Sequence, residues 1–280
     1  MGVTLSLSSV ADVLARIGSA HDVAFGSYLL GRGPVRDALA GAARRGAHVD
    51  VTLQADPYRN EHGTRANADA ARVLRGAGAT VSLLARDVAP FHIKAAVCDG
   101  VAYLDDRNFT QRGPEIVVAD DDPRDVTLVR DALAGRGGAD ATLATRKDEG
   151  LRRELALVDG ARGEPVTVET ERVGSSPLTA ALRRHARSGA PATLVIGRAT
   201  HLSARERGTI ARLEADGVAV RRTGTNEKLA LAGDAAWLGS VNATGAFGRG
   251  AGQLEWGMVT RVPALVGAVR AALERDTRAG

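Results

Sequence analysis

Residues 91–109 read FHIKAAVCDGVAYLDDRNF, and residues 225–243 read TNEKLALAGDAAWLGSVNA. The second stretch echoes the first. Lys94 precedes Asn108 by the same distance at which Lys228 precedes Asn242, and a glutamate then opens an apolar run, Glu115 in one case and Glu255 in the other. The two differ at one telling position. His92 stands two residues before Lys94, whereas Asn226 stands two residues before Lys228. In the first stretch an Asp99-Gly100 pair lies between two apolar runs, the signal of a β-hairpin. On an extended strand, residues i and i+2 share a face. His92 and Lys94 should therefore project together, with Ile93 turned into the core.

Outward from these stretches, short apolar runs alternate with helical patterns. The strand-like segments DVAFGSYLL (Asp22–Leu30), HVDVTLQA (His48–Ala55) and ATVSLLA (Ala79–Ala85) are separated by two helical patterns. One starts at Pro34 and stops at Gly46; the other follows a polar loop, Asp56–Thr64, and ends near Gly76–Gly78. EIVVAD (Glu115–Asp120) and a helix from Pro123 close the first half. The order recurs with PVTVET, a helix over Pro177–Ser188, ATLVIG, a helix over Ser203–Asp216, GVAVRR, the Asn226 stretch, LEWGMVT and a helix from Pro263. RRGAHVDVTL (Arg44–Leu53) matches RSGAPATLVI (Arg187–Ile196) in pattern. The alternation predicts an α/β protein with helices on the sheet faces. The period is that of a duplicated domain. The expected division is an N-terminal half over 1–139, a charged helical linker without strand signal over 140–163, and a C-terminal half over 164–280, the halves being related by a pseudo-twofold axis.

Composition narrows the function classes. The 280 residues are 44% apolar and 25% charged, ordinary values for a globular chain. Aromatics make up only 3%, so Ala, Val and Leu must carry the core, and base-stacking platforms for single-stranded nucleic acid are disfavoured. The net charge of +4 suits an anionic partner without the dense basic block of a DNA-binding arm. Cys98 is the sole cysteine, which rules out an intrachain disulfide and argues against a structural zinc site. The start has no signal-peptide pattern, and no apolar run is long enough to span a membrane. These features lead us to expect a soluble, cytoplasmic protein with no cofactor and no metal.

A histidine beside a lysine suits phosphoryl chemistry. The imidazole can attack phosphorus or move a proton. The ammonium neutralises non-bridging oxygens as charge develops. Asn108 could donate to the same oxygens. Asp99, in a strong turn signal, can equally be a plain turn residue. His62, in the polar loop YRNEHGTR (Tyr58–Arg65), is the best candidate for a second proton donor.

His92, Lys94, Asp99 and Asn108 together resemble the His-x-Lys…Asp…Asn motif of the phospholipase D superfamily, and Lys228, Gly239, Ser240 and Asn242 resemble a degenerate second copy. The resemblance covers essentially the whole chain. It implies two duplicated α/β/α halves whose motifs meet, with His92 forming a phosphohistidine. It also implies that Lys94, Lys228, Asn108 and Asn242 bind phosphoryl oxygens, that Glu115 or Glu255 orients the histidine, and that Asn226, Ser240, Asp99 and His62 contact substrate. The substrate implied is a phosphodiester, phospholipid or nucleic acid, and the assembly a monomer with an internal pseudo-dimer. Two departures stand out. Asp105 and Asp106 occupy the usual Gly-Ser positions, where carboxylates facing the site would repel phosphate. Asn226 replaces the second histidine and can bind a phosphate oxygen but is a poor nucleophile. Three readings stay open: a one-histidine phosphodiesterase or phosphotransferase, a site served by His92 from two chains, and a degenerate module that binds phosphate-bearing ligands without turnover.

Overall fold

Proline at the first helical position and serine or aspartate caps punctuate this chain, and in the computed structural model they set the helix starts. The structure describes residues 4–57, 60–87, 90–109, 115–198, 201–243 and 252–278. The first half runs β1 (Leu5–Ser8), α1 (Val10–Ser19), β2 (Asp22–Ser27), α2 (Pro34–Arg44), β3 (His48–Gln54), α3 (Glu61–Gly76) and β4 (Thr80–Leu84). It continues through β5 (Ala95–Cys98), β6 (Val101–Leu104) and β7 (Val117–Asp120) to α4 (Pro123–Leu133). Ser9 caps α1 in a reciprocal box with Asp12, and Pro34 and Pro123 open α2 and α4. The second half runs β8 (Leu143–Arg146), α5 (Lys147–Gly160), β9 (Val166–Thr170), α6 (Pro177–Arg187), β10 (Ala192–Gly197), α7 (Ala204–Ala215) and β11 (Ala219–Gly224). β12 (Leu229–Ala232), β13 (Ala235–Gly239), β14 (Leu254–Thr260) and α8 (Pro263–Arg278) complete it. Ser176 with Thr179 and Ser203 with Glu206 form further capping boxes.

The two sheets have one topology. The first is ordered β1-β7-β6-β5-β2-β3-β4 and the second β8-β14-β13-β12-β9-β10-β11. β2, β3 and β4 pair in parallel, as do β9, β10 and β11; the hairpins β5–β6 and β12–β13 add antiparallel partners. Element by element, the second half repeats the first: β8 is the counterpart of β1, α5 of α1, and β12 of β5. The fold is thus α/β with duplicated halves, as the alternation predicts. By spatial clustering one unit comprises residues 1–146 with 252–256, and the other 147–251 with 257–280.

Three local expectations differ from the structure. Segment 140–163, read as a linker without strand signal, carries β8 and all of α5. Its four-residue strand is too short to show alternation, and tertiary pairing makes it. The polar loop read over Asp56–Thr64 is cut short because Asn60 accepts from the Gly63 N–H at 2.8 Å and starts α3 at Glu61. His92 and Lys94 lie just before β5, which begins at Ala95.

Each unit has its own apolar core. In the first, Val13 and Ile17 of α1, Leu39 of α2 and Leu74 of α3 pack with Phe25, Val49, Leu53 and Val81 of the sheet. In the second, Leu151, Leu182, Leu213 and Trp237 pack with Val168, Leu194 and Ile196. Burying each side chain of this size contributes roughly 1.5–3 kcal/mol. No helix among the described residues is long and apolar enough to cross a membrane.

Candidate phosphoryl-transfer site

The segment leading into β5 alternates Phe91, His92, Ile93 and Lys94. Phe91 and Ile93 are fully buried, and this anchoring holds the histidine between them at the surface of the unit. The backbone is tied to the start of β14: the His92 N–H donates to Leu254 O at 2.9 Å, and the Leu254 N–H donates to Pro90 O at 2.9 Å. This pairing brings Glu255, distant in sequence, to His92. Its carboxylate lies 3.4 Å from His92 Nδ1. Lys94 Nζ lies 2.9 Å from Nδ1 and 3.1 Å from Nε2, and the Tyr28 ring meets the imidazole edge-on at 4.6 Å between centroids. The His92 side chain keeps 21% exposure while that of Glu255 keeps 4%. The buried carboxylate beside Nδ1 and the ammonium within reach of both ring nitrogens together fix the ring.

Of the two glutamates, Glu255 is thus the one beside His92. Glu115 lies 3.9 Å from Arg107, which also lies 3.6 Å from Asp106. Asp105 is fully buried and turned into its own loop, where it accepts the N–H groups of Arg107 at 3.1 Å and of Phe109. Burial, with Asp106 and Glu115 nearby, pushes its carboxyl well above the usual range. Its backbone oxygen accepts the Trp256 indole N–H at 2.7 Å. An aspartate at the expected glycine position is therefore a loop brace.

Asn108 sits in the left-handed region at φ 68°, where asparagine is tolerated. Its Oδ1 accepts Ser27 Oγ at 3.0 Å and the Leu29 N–H at 3.4 Å, which ties down the loop after β2. Asp99 does not join this group. It occupies the β5–β6 turn at φ 45° and accepts the N–H groups of His21 at 3.1 Å and Asp22 at 3.0 Å. The expectation that Asp99 contacts substrate is corrected: at the far end of β5 from His92, it fastens the turn to the start of β2. His62 lies on the exposed first turn of α3.

The second unit keeps the frame and changes the chemistry. Asn242 Oδ1 accepts Thr170 Oγ1 at 3.3 Å and the Arg172 N–H at 3.1 Å, the same arrangement as Asn108 with Ser27 and Leu29. Ser240 is fully buried. Lys228 is buried, donates to the backbone oxygen of Asn226 at 2.9 Å and lies 3.7 Å from Glu171. Asn226 itself adopts φ 71°. The support beneath also differs. Matching Lys94 to Lys228 and Ser27 to Thr170 pairs Ile93 with Glu227 and Gly26 with Glu169. Glu169, Glu227 and Asp276 form a buried carboxyl triad. Burial first, then the charges of Asp276 and Glu227, push the Glu169 carboxyl up to about 8.

Gly26 is glycine because Phe91 needs the room. A Cβ there would lie 2.7 Å from Phe91 Cζ and 2.3 Å from Leu133 Cδ2. Gly26→Ala is expected to displace the ring that anchors His92 and to lower stability by about 1–3 kcal/mol. Chemical denaturation of parent and variant checks this, and an unchanged midpoint would contradict it.

Sequence reasoning missed Tyr28 and the carboxyl triad. Tyr28 had one available signal: it follows β2 at the carboxyl end of a parallel strand, where α/β sheets place ligands. The triad had none, because Glu169, Glu227 and Asp276 are distant from one another in sequence.

Neither protein-family profiles nor curated protein sequences match this chain. Solved structures do. Polyphosphate kinase from Porphyromonas gingivalis superposes over 99% of this chain at a TM-score of 0.70 and 14% identity. The chain spans 50% of that kinase's length. Phosphatidylserine synthase from Haemophilus influenzae superposes over 98% of this chain and 86% of its own, at 0.70 and 10% identity. Yeast tyrosyl-DNA phosphodiesterase superposes over 92% and 89%, at 0.53 and 11% identity. With two seven-stranded sheets of one topology and matches spanning both halves, the chain shares the duplicated α/β fold of these three structures.

Proposed function

We propose that this chain cleaves or transfers a phosphodiester through a phosphohistidine on His92. The observation that carries the proposal is His92 held between Glu255 and Lys94, with the carboxylate 3.4 Å from Nδ1 and the ammonium 3.1 Å from Nε2. In the first step, Nε2 attacks phosphorus and the P–O bond to the leaving group breaks. Lys94 stabilises the charge gathering on the non-bridging oxygens, and Glu255 supports the positive charge that develops on the ring. In the second step, water or another alcohol attacks phosphorus and the P–N bond breaks. The second unit has no histidine at the matching position. The three structural relatives are named for different molecules that share a phosphoryl group, which supports the reaction class and leaves phospholipid and nucleic acid both open as substrates.

The test uses bis-p-nitrophenyl phosphate with EDTA present. Turnover is expected, together with an adduct on His92 that acid removes and alkali spares, seen by mass spectrometry after rapid quenching. Turnover without any adduct would contradict covalent catalysis. Saturable binding of inorganic phosphate without turnover would favour instead a module that binds phosphate-bearing ligands, consistent with Lys228 donating to the Asn226 carbonyl.

A further inference from the structure

A one-histidine site lacks the second imidazole that would protonate a departing alkoxide. The first unit holds another polar group against the same ring. Tyr28 follows β2 directly, and its ring lies edge-on to His92 at 4.6 Å between centroids and 5.9 Å from Lys94 Nζ. Its hydroxyl accepts a hydrogen bond from Arg86 Nη2 at 3.3 Å. Arg86 is in turn oriented by Asp56, whose carboxylate lies 3.5 Å from its Nε and whose backbone oxygen accepts from Nη2 at 3.3 Å.

The loop that carries Tyr28 is fixed on every side. Asn67, fully buried, donates from Nδ2 to Tyr28 O at 2.9 Å and to Gln54 O at 2.7 Å, and accepts the Leu30 N–H at 2.8 Å. Ser27 Oγ donates to Leu29 O at 3.0 Å. Asn108 adds its two contacts to the same loop. Held this way, the phenol is set beside the nucleophile in advance, as a proton-transfer group must be.

We propose that Tyr28 is the proton donor to the leaving group, with Arg86 stabilising the phenolate it becomes. The proposal rests on His92 acting as the nucleophile. As Nε2 forms its bond to phosphorus and the P–O bond breaks, the leaving oxygen takes the Tyr28 proton. The phenolate, with negative charge beside the Arg86 guanidinium, then takes a proton from the water that attacks the phosphohistidine. Release of His92 from phosphorus completes the cycle with Tyr28 reprotonated. This assigns the role expected of His62 to a residue in contact with the His92 ring.

The test compares the parent, His92→Ala and Tyr28→Phe on aryl methyl phosphates whose leaving phenols run from p-nitrophenol to unsubstituted phenol. Phenylalanine keeps the ring against His92 and removes only the hydroxyl. A general acid contributes about 10²–10⁴-fold, and more where the leaving group is poor. The loss of kcat/KM in Tyr28→Phe should therefore be at least about 30-fold greater for the phenyl than for the p-nitrophenyl diester. An equal loss across the series, in a parent whose turnover depends on His92, would overturn the role of Tyr28 and leave that of His92 standing. A parent whose turnover survives in His92→Ala, or that cleaves no member of the series, overturns both.

Discussion

His92→Ala is expected to lower kcat on an aryl phosphodiester by at least about 10⁴-fold, because it removes the atom that in the proposed mechanism bonds to phosphorus. The described residues of the duplicated half hold no histidine at the matching position. At the matching position it has Asn226, whose backbone lies in the left-handed region at φ 71° and whose carbonyl accepts from Lys228. Neighbouring residues should give smaller, graded effects. Lys94→Met removes charge stabilisation at the phosphoryl oxygens, with an expected loss of about 10²–10³-fold. Glu255→Gln keeps the shape beside Nδ1 and removes the charge, so its loss should be smaller than that of Lys94→Met. Steady-state rates on bis-p-nitrophenyl phosphate, with circular dichroism to confirm folding, decide the matter. A His92→Ala variant within tenfold of the parent would end the nucleophile assignment.

Thermal stability should fall as pH rises from about 5 to about 8, with Glu169 a principal cause. Burial and the charges of Asp276 and Glu227 raise its folded-state pKa from 4.5 to about 8. Between those values the unfolded chain has lost this proton and the folded chain keeps it. The folded state binds more protons there, so raising the pH favours unfolding; the stabilisation is complete below about 4.5 and gone above about 8. Each pH unit in that window is worth about 1.4 kcal/mol, which puts the effect on the order of 5 kcal/mol. Asp125 acts in the same direction. Burial first, then its neighbours Asp140 and Asp120, push it up to about 9. Glu169→Gln imitates the protonated acid and keeps an oxygen for the Thr225 N–H, which donates to Glu169 Oε1 at 2.8 Å. Its melting temperature should depend less on pH than the parent's and exceed it at pH 8.5. Identical pH dependences for the two proteins would show that Glu169 does not hold its proton.

These two expectations come from different levels of the molecule. The duplicated α/β architecture and the pairing of His92 with Lys94 were legible in the sequence. Both rest on local rules: strand–helix alternation, proline and serine at helix starts, and two side chains separated by a single buried residue, Ile93. The choice between Glu115 and Glu255 was not local. It was decided when Leu254 paired with the segment around Phe91 and carried Glu255 to His92 Nδ1. Asp105 could not be placed from its spacing either, because its outward or inward turn depends on which backbone N–H groups lie within reach. Asp99 showed a turn and a motif at once in the sequence, and its bonds to the His21 and Asp22 amides made it a turn residue. The raised Glu169 carboxyl and the Tyr28–Arg86 pair exist only in three dimensions, since desolvation and charge proximity are set by neighbours far away along the chain.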